Sequence, residues 1–173
     1  RSVDLLFFFY LGEKTKIASV KFIGNNYIRS KRLSDVIASE EDKFWKFLSR
    51  NTNFSESIVS LDKRLLTNYY KSIGFYNVKV NSSVAEISQS GDAELTYSID
   101  EGTRYTINKI STNVDKVFDK DIFFELNEIY KSYAGQYYSP FKVKKLLDEI
   151  DILIDKNDLQ FVEHNVQEII EQD

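Results

Sequence analysis

Cysteine and methionine are absent from the 173-residue sequence, and proline, histidine and tryptophan each occur once. Without cysteine there is no disulfide framework, thiolate nucleophile, redox motif or cysteine-based zinc site. One histidine, His164, leaves no imidazole pair for a metal and no partner for a serine nucleophile. No catalytic residue, metal site or cofactor is therefore expected. Cationic excess is also missing: 23 Lys and Arg stand against 27 Asp and Glu, a net charge of −4, which argues against a phosphate-tracking surface. The six glycines, at 12, 24, 74, 91, 102 and 135, include no pair three apart, so the Gly-x-x-Gly clamp of RNA-binding KH modules is not present. No nucleic-acid partner is expected. The longest apolar run, Leu5 to Leu11, falls well short of the ~20 residues of a membrane span. Asp4 abuts it and Gly12-Glu13-Lys14 offers no small-residue cleavage site, so it reads as a buried strand and not a signal peptide. With no methionine anywhere, Arg1 is not a native start, and the chain is expected to be a piece of a longer protein.

What is present is core material. Hydrophobic residues make up 42% and charged residues 29%, with 13 Phe and 11 Tyr, far from the composition of disordered chains. Two small units, each able to bury only ~60% of its extended surface, would need such large apolar side chains.

An internal repeat organises the chain. Leu5, Phe7, Phe9, Gly12, Lys14 and Ile17 stand 90 residues before Leu95, Tyr97, Ile99, Gly102, Arg104 and Ile107. Each copy reads as a strand, a glycine turn and a second strand. In the second copy Leu95, Tyr97 and Ile99 face inward, while Glu94, Thr96, Ser98 and Asp100 face water. Between the copies, Ser30 is the expected N-cap of a first helix carrying Leu33, Val36 and Ile37. A second helix begins at Ser55 or Ser57, presents Ile58, Leu61, Leu65, Tyr69 and Ile73, and stops at Gly74. Residues 76–87 alternate as a strand with Val78, Val80 and Val84 on one face. Ser90-Gly91-Asp92 then turns into a strand over 93–101. After Ile107 the order restarts. A short strand holds Ile107 and Ile110, and a first helix holds Ile122, Phe123, Leu126, Ile129 and Tyr130. A second helix, capped by Ser139-Pro140, carries Val143, Leu146, Leu147, Ile150, Leu153 and Ile154. A strand follows from Leu159 toward Ile170. Here the offset is 84, the difference mapping to an insertion within 40–54.

The expected fold is thus α+β: tandem β-α-α-β-β modules, each with a small mixed sheet and two helices on one face. Residues 1–15 supply the last strand of a preceding repeat, 16–105 a complete repeat, and 106–173 a second repeat lacking its final strand. The severed segment Val3–Leu11 is expected to pair with another exposed edge, such as one in a neighbouring molecule.

The β-α-α-β-β order, the Glu-Gly-x-[Lys/Arg] junctions, Val20-Lys21-Phe22-Ile23-Gly24-Asn25 and Tyr69-Tyr70-Lys71-Ser72-Ile73-Gly74-Phe75 together resemble the POTRA repeats of the BamA family. Members of that family assemble outer-membrane β-barrels in Gram-negative bacteria. With Phe44-Trp45-Lys46-Phe47-Leu48-Ser49, the complete unit looks like the third repeat of five, followed by most of the fourth. The match weakens after 107, where Asp158 takes the helix-ending glycine position. The resemblance implies a periplasmic, non-enzymatic scaffold ahead of a C-terminal membrane barrel that is absent from this chain. Its implied partners are unfolded outer-membrane β-barrel proteins and other barrel-assembly subunits. Two other readings stand beside it: a passive spacer orienting the barrel, and the POTRA region of a two-partner secretion transporter recognising one passenger.

Two places carry that function as candidates. In this family the second strand tends to lie at the sheet edge, so Tyr76, Asn77, Val78, Lys79, Val80 and Asn81 form the candidate client-binding edge, working by β-augmentation. The ordinary alternative is an edge made soluble by Asn77, Lys79, Asn81 and Ser83. Phe44, Trp45, Phe47 and Leu48 in the insertion form a candidate partner-docking patch. Packing against the sheet or the next unit explains them more simply. The acidic clusters Glu40-Glu41-Asp42 and Asp148-Glu149 with Asp151 are read as solvated surface. His164, alternating with Val162 and Val166, is read as a core or interface residue.

Overall fold

A computed structural model of the chain describes Phe7 and residues 15–42, 52–87, 92–114, 120–159 and 162–171. Two compact units emerge: Arg1–Lys71 with Phe75–Thr103, and Ser72–Gly74 with Arg104–Asp173.

The first unit runs β1 (Ile17–Ile23), α1 (Ser30–Ser34), α2 (Glu56–Ser72), β2 (Lys79–Ile87) and β3 (Asp92–Asp100), the expected β-α-α-β-β order. The sheet order is β1-β3-β2, with β1 parallel and β2 antiparallel to β3. The strand that comes last in sequence therefore lies in the middle, and the other two meet only through it. Its alternation is as the sequence predicts: Ala93, Leu95, Tyr97 and Ile99 are buried and Ser98 and Asp100 are exposed. Directly opposed residues share a face. The register Val80–Ile99, Ser82–Tyr97 and Val84–Leu95 thus puts these three β2 residues on the helix side, and Lys79, Asn81 and Ser83 on the open side. Gly24 closes β1 at φ 80°, where an added Cβ would lie 2.1 Å from the Ile99 carbonyl oxygen; only glycine lets the chain pass that close to β3.

Two details of the first helices differ from expectation. Ser30 is the first helical residue of α1 and Arg29 precedes it as the cap. In α2 the fully enclosed row is Val59, Asp62, Leu66 and Tyr70, one position on from Ile58, Leu61, Leu65 and Tyr69, which are half-buried. That row includes Asp62. Its carboxylate accepts hydrogen bonds from the amides of Ala38 (2.6 Å) and Ser39 (3.2 Å), the Tyr97 hydroxyl (2.6 Å) and the Ser39 hydroxyl. Four donors make a buried carboxyl group tolerable in a core. A second buried carboxylate, Glu101, accepts from the amides of Asn26 and Tyr27 (both 3.1 Å) and from the Tyr70 hydroxyl at 2.9 Å. Burial, with a carboxylate partner in each case, pushes the Tyr70 and Tyr97 phenols well above the ordinary tyrosine range. These two clamps fix α2 and the 24–28 and 38–39 loops to the central strand. α2 ends as expected at Gly74, φ 108°. The Phe75 amide reaches back to the Tyr70 carbonyl at 3.1 Å, the six-to-one bond of a Schellman cap.

The second unit has a 3-10 turn at Lys120–Phe123, then α3 (Leu126–Tyr133) and α4 (Pro140–Lys156). Ile122 and Phe123 thus precede α3 instead of opening it. Ser139 holds the N-cap position of α4, with no side-chain hydrogen bond to the helix, and Pro140 is its first residue, the positions predicted. Leu126, Tyr130 and Leu153 form the core, with Ile110, Phe123, Ile129, Leu146 and Ile150 packed on it. Near 72–74, the Arg104 guanidinium lies 3.3 Å from the centre of the Tyr137 ring and donates to the Ile73 carbonyl at 2.6 Å.

The strands expected at 107–110 and 159–170 do not form among the described residues. The backbone around Ile107 pairs instead with the α3–α4 connection: Ile107 N to Gln136 O, Gly135 N to Ile107 O, and a Thr106–Tyr137 bridge. Residues 162–171 are irregular and held by side chains, through Glu168 on the Tyr138 hydroxyl (2.5 Å) and Glu171 on Asn108 (3.3 Å). The reason lies in the sheet order of the first unit. There, the first and second strands need the third between them, and no described segment after 104 takes that central place.

Candidate strand-binding edge

A three-stranded sheet has two outer edges, and here they differ. β1 is occupied at several points by the segments flanking the insertion. Ile17 N donates to Thr52 O (2.7 Å), Ile17 O accepts from Asp42 N (2.8 Å), Lys16 bridges to Asn53, and Val20 N donates to Glu41 Oε1 at 3.2 Å. β2 pairs with β3 over nine consecutive positions, from Lys79–Asp100 to Ile87–Asp92. Among the described residues nothing pairs with its other side. Alternate backbone groups of such a strand point away from its partner, ready for another extended chain.

The candidate residues divide. Lys79, Val80 and Asn81 lie in β2 and Val78 immediately precedes it. Tyr76 and Asn77 are in a turn rather than a strand; after the Gly74 cap, Val78 N closes back on Phe75 O at 3.4 Å before the chain can extend. The edge continues to Ile87, where the strand predicted over 76–87 also ends. Val84 is expected on one face with Val78 and Val80. It shares their side but is 46% exposed, against 7% and 8% for the other two. Phe44, Trp45, Phe47 and Leu48, Val3–Leu11 apart from Phe7, and the turn residues Ser90 and Gly91 lie outside the described residues.

The open face of the sheet is polar. Lys21 Nζ meets Glu94 Oε2 at 2.7 Å, and the Ser19 hydroxyl donates to the same oxygen at 3.0 Å. The hydrogen bond from Lys21, then that from Ser19, holds the Glu94 carboxyl below the usual carboxylate range. The acidic clusters have pairwise partners: Asp42 takes Lys16 at 2.7 Å, Glu149 faces Lys145 at 3.8 Å, and Asp151 takes His164 at 2.6 Å. His164 is thus a surface residue and not a core one, because the strand that would have turned it inward is absent. Among the described residues no three His, Cys, Asp or Glu side chains are grouped to hold a metal, and no helix is long and apolar enough to cross a membrane.

A family model described as POTRA, surface antigen variable number repeat, matches residues 15–102. The chain belongs to the POTRA family. The match spans β1 to β3 of the first unit, and so includes both sheet edges. Two outer membrane protein assembly factors BamA are similar to this POTRA chain. That of Neisseria meningitidis serogroup B is 21% identical over 140 residues, covering 80% of the chain and 17% of the relative. That of Buchnera aphidicola is 26% identical over 162 residues, covering 90% and 24%. The chain therefore spans less than a quarter of either relative's length. POTRA3-5 of Haemophilus influenzae BamA superposes with a TM-score of 0.58 at 18% identity, covering 83% of this chain and 54% of that one. POTRA1-2 of Omp85 from Anabaena gives 0.55 at 10% identity, covering 91% and 90%. At these identities the likeness speaks for the fold: an α+β POTRA architecture.

Proposed function

We propose that this chain is the periplasmic POTRA region of an outer-membrane protein assembly factor, a non-enzymatic scaffold that binds unfolded outer-membrane β-barrel proteins by strand augmentation on β2. The single observation that carries this reading is the asymmetry of the edges: β1 is bonded on its outer side at Ile17 and Val20, whereas β2 presents nine residues with no second neighbour among the described residues. Backbone pairing gives affinity with little demand on sequence, which suits a receptor of many clients. Similarity to two BamA assembly factors supports the setting. On this reading 16–105 is a complete repeat, resembling the third, and 106–173 belongs to the next. Other assembly subunits would dock elsewhere, with Phe44, Trp45, Phe47 and Leu48 as the candidate patch.

Titration of the isotope-labelled chain with an extended peptide from a barrel strand tests this. Amide shifts concentrated in 79–87 are expected. No shifts at millimolar peptide would instead favour a spacer that only orients a membrane barrel.

A further inference from the structure

The helix-side row of β2 changes character along the strand. Val80, opposite Ile99, is 8% exposed, whereas Val84, opposite the fully buried Leu95, is 46% exposed. The core thus covers one end of the edge and leaves an apolar side chain uncovered at the other. On the other face of the same strand Lys79, Asn81 and Ser83 are exposed and polar. A chain added to β2 must place its side chains in these same two rows, since opposed residues share a face. A one-residue slip exchanges the rows completely.

We propose that Val84 is a specificity-determining residue of this edge: it fixes the phase of an incoming strand and selects segments whose apolar and polar residues alternate. This rests on β2 being the client-binding edge and names the class of client it takes. In the selected phase an apolar client residue loses water against Val84, while the residue next to it, opposite Ser83, and the one two further on, opposite Asn81, remain polar. In the slipped phase a polar residue is set against Val84 and an apolar one stays in water. A segment with its apolar residues gathered at one end can meet Val84 only by also placing apolar residues in the open row, in water.

Two short peptides of identical composition make the test, one alternating apolar and polar residues and one with the apolar residues in a single block. Each is titrated into the isotope-labelled chain and into Val84→Thr, which keeps the β-branched shape but replaces a methyl by a hydroxyl. The alternating peptide is expected to bind the unmodified chain roughly fivefold more tightly than the block peptide, the size of effect that half-burying a small apolar side chain produces. In Val84→Thr the preference is expected to fall close to unity, with the block peptide's affinity unchanged and the amide dispersion of the fold retained. Equal affinities for the unmodified chain, or an undiminished preference in Val84→Thr, would overturn the role of Val84 while leaving the edge as a binding site. Failure of both peptides to shift any β2 amide would overturn the edge reading itself.

Discussion

Helices α2 and α4 start 84 residues apart, the offset of the internal repeat in the sequence, and each is 17 residues long. Val59, Asp62, Leu66 and Tyr70 of the first align with Val143, Leu146, Ile150 and Ile154 of the second. A buried carboxylate and phenol in one copy are aliphatic side chains in the other. The difference follows the sheet. In the first unit β3 carries Tyr97 toward Asp62, and Glu101 just beyond it meets Tyr70, so helix and strand are tied by directional bonds. Among the described residues of the second unit no central strand offers such groups, and Leu146 and Ile150 simply pack on Leu126, Tyr130 and Leu153. The polar clamps are therefore a device for registering helix against sheet, and not a requirement of the paired helices. The helix ends make a second comparison. Gly74 and its counterpart Asp158 both have positive φ, 108° and 51°. The Leu159 amide bonds to the Ile154 carbonyl at 3.2 Å, as Phe75 does to Tyr70 at 3.1 Å. One backbone device is thus built once with glycine and once with aspartate.

Exchanging residues between the copies breaks these comparisons in turn. Asp62→Leu places the second unit's residue in the first and strips the acceptor from the Tyr97 and Ser39 hydroxyls and two amides. A loss of about 3 kcal/mol is expected in urea unfolding followed at β3 amides, and a loss below ~1 kcal/mol would remove the clamp from the account. Gly74→Ala comes next, at about 2 kcal/mol. Its Cβ would lie 3.0 Å from Arg104 Cγ and 3.2 Å from the Tyr105 carbonyl, with φ already unfavourable. A neutral outcome in thermal unfolding would show that the site can open. The opposite exchange, Asp158→Gly, relieves a left-handed aspartate and should stabilise the second unit by about 0.5–1 kcal/mol; destabilisation would mean that the aspartate has a role of its own. The smallest effect concerns the open sheet face. Because Glu94 titrates below the ordinary carboxylate range in the folded chain, its contribution is complete above the unfolded value of 4.5 and is lost as pH falls through the folded one. Lys21→Gln should flatten that acid dependence slightly, and an unchanged unfolding profile between neutral and acid pH would contradict it.

Local chemistry made much of the first unit legible before its structure. The alternation around Leu95, Tyr97 and Ile99, the glycine at 74 and the Ser139-Pro140 cap each state a backbone requirement within a few residues. Asp62 was not legible, because counting apolar residues along α2 ranks a carboxylate with the solvent, and its four donors come from elements 23 to 35 residues away. The second unit's strands were overread for a related reason. Ile107 and the alternation after Leu159 have strand-like patterns, but a ladder needs a partner, and a pattern within one segment does not contain one. For the candidate edge, alternation through Val84 marked the strand. That the opposite edge is met by residues 41, 42, 52 and 53, and that Val84 stands half in water, depend on contacts distant in sequence.

The central claim is that, among the described residues, the β2 edge of the first sheet is free for an added strand, whereas β1 is bonded on its outer side at Ile17 and Val20. Hydrogen exchange measured amide by amide, with and without an alternating strand peptide, tests it most directly. Alternate amides between Lys79 and Ile87 should exchange readily in the free protein and slow markedly with peptide, while those of Ile17–Ile23 stay as they were. Protection of β2 that is already complete without peptide, or slowing that falls on β1 instead, would contradict the account.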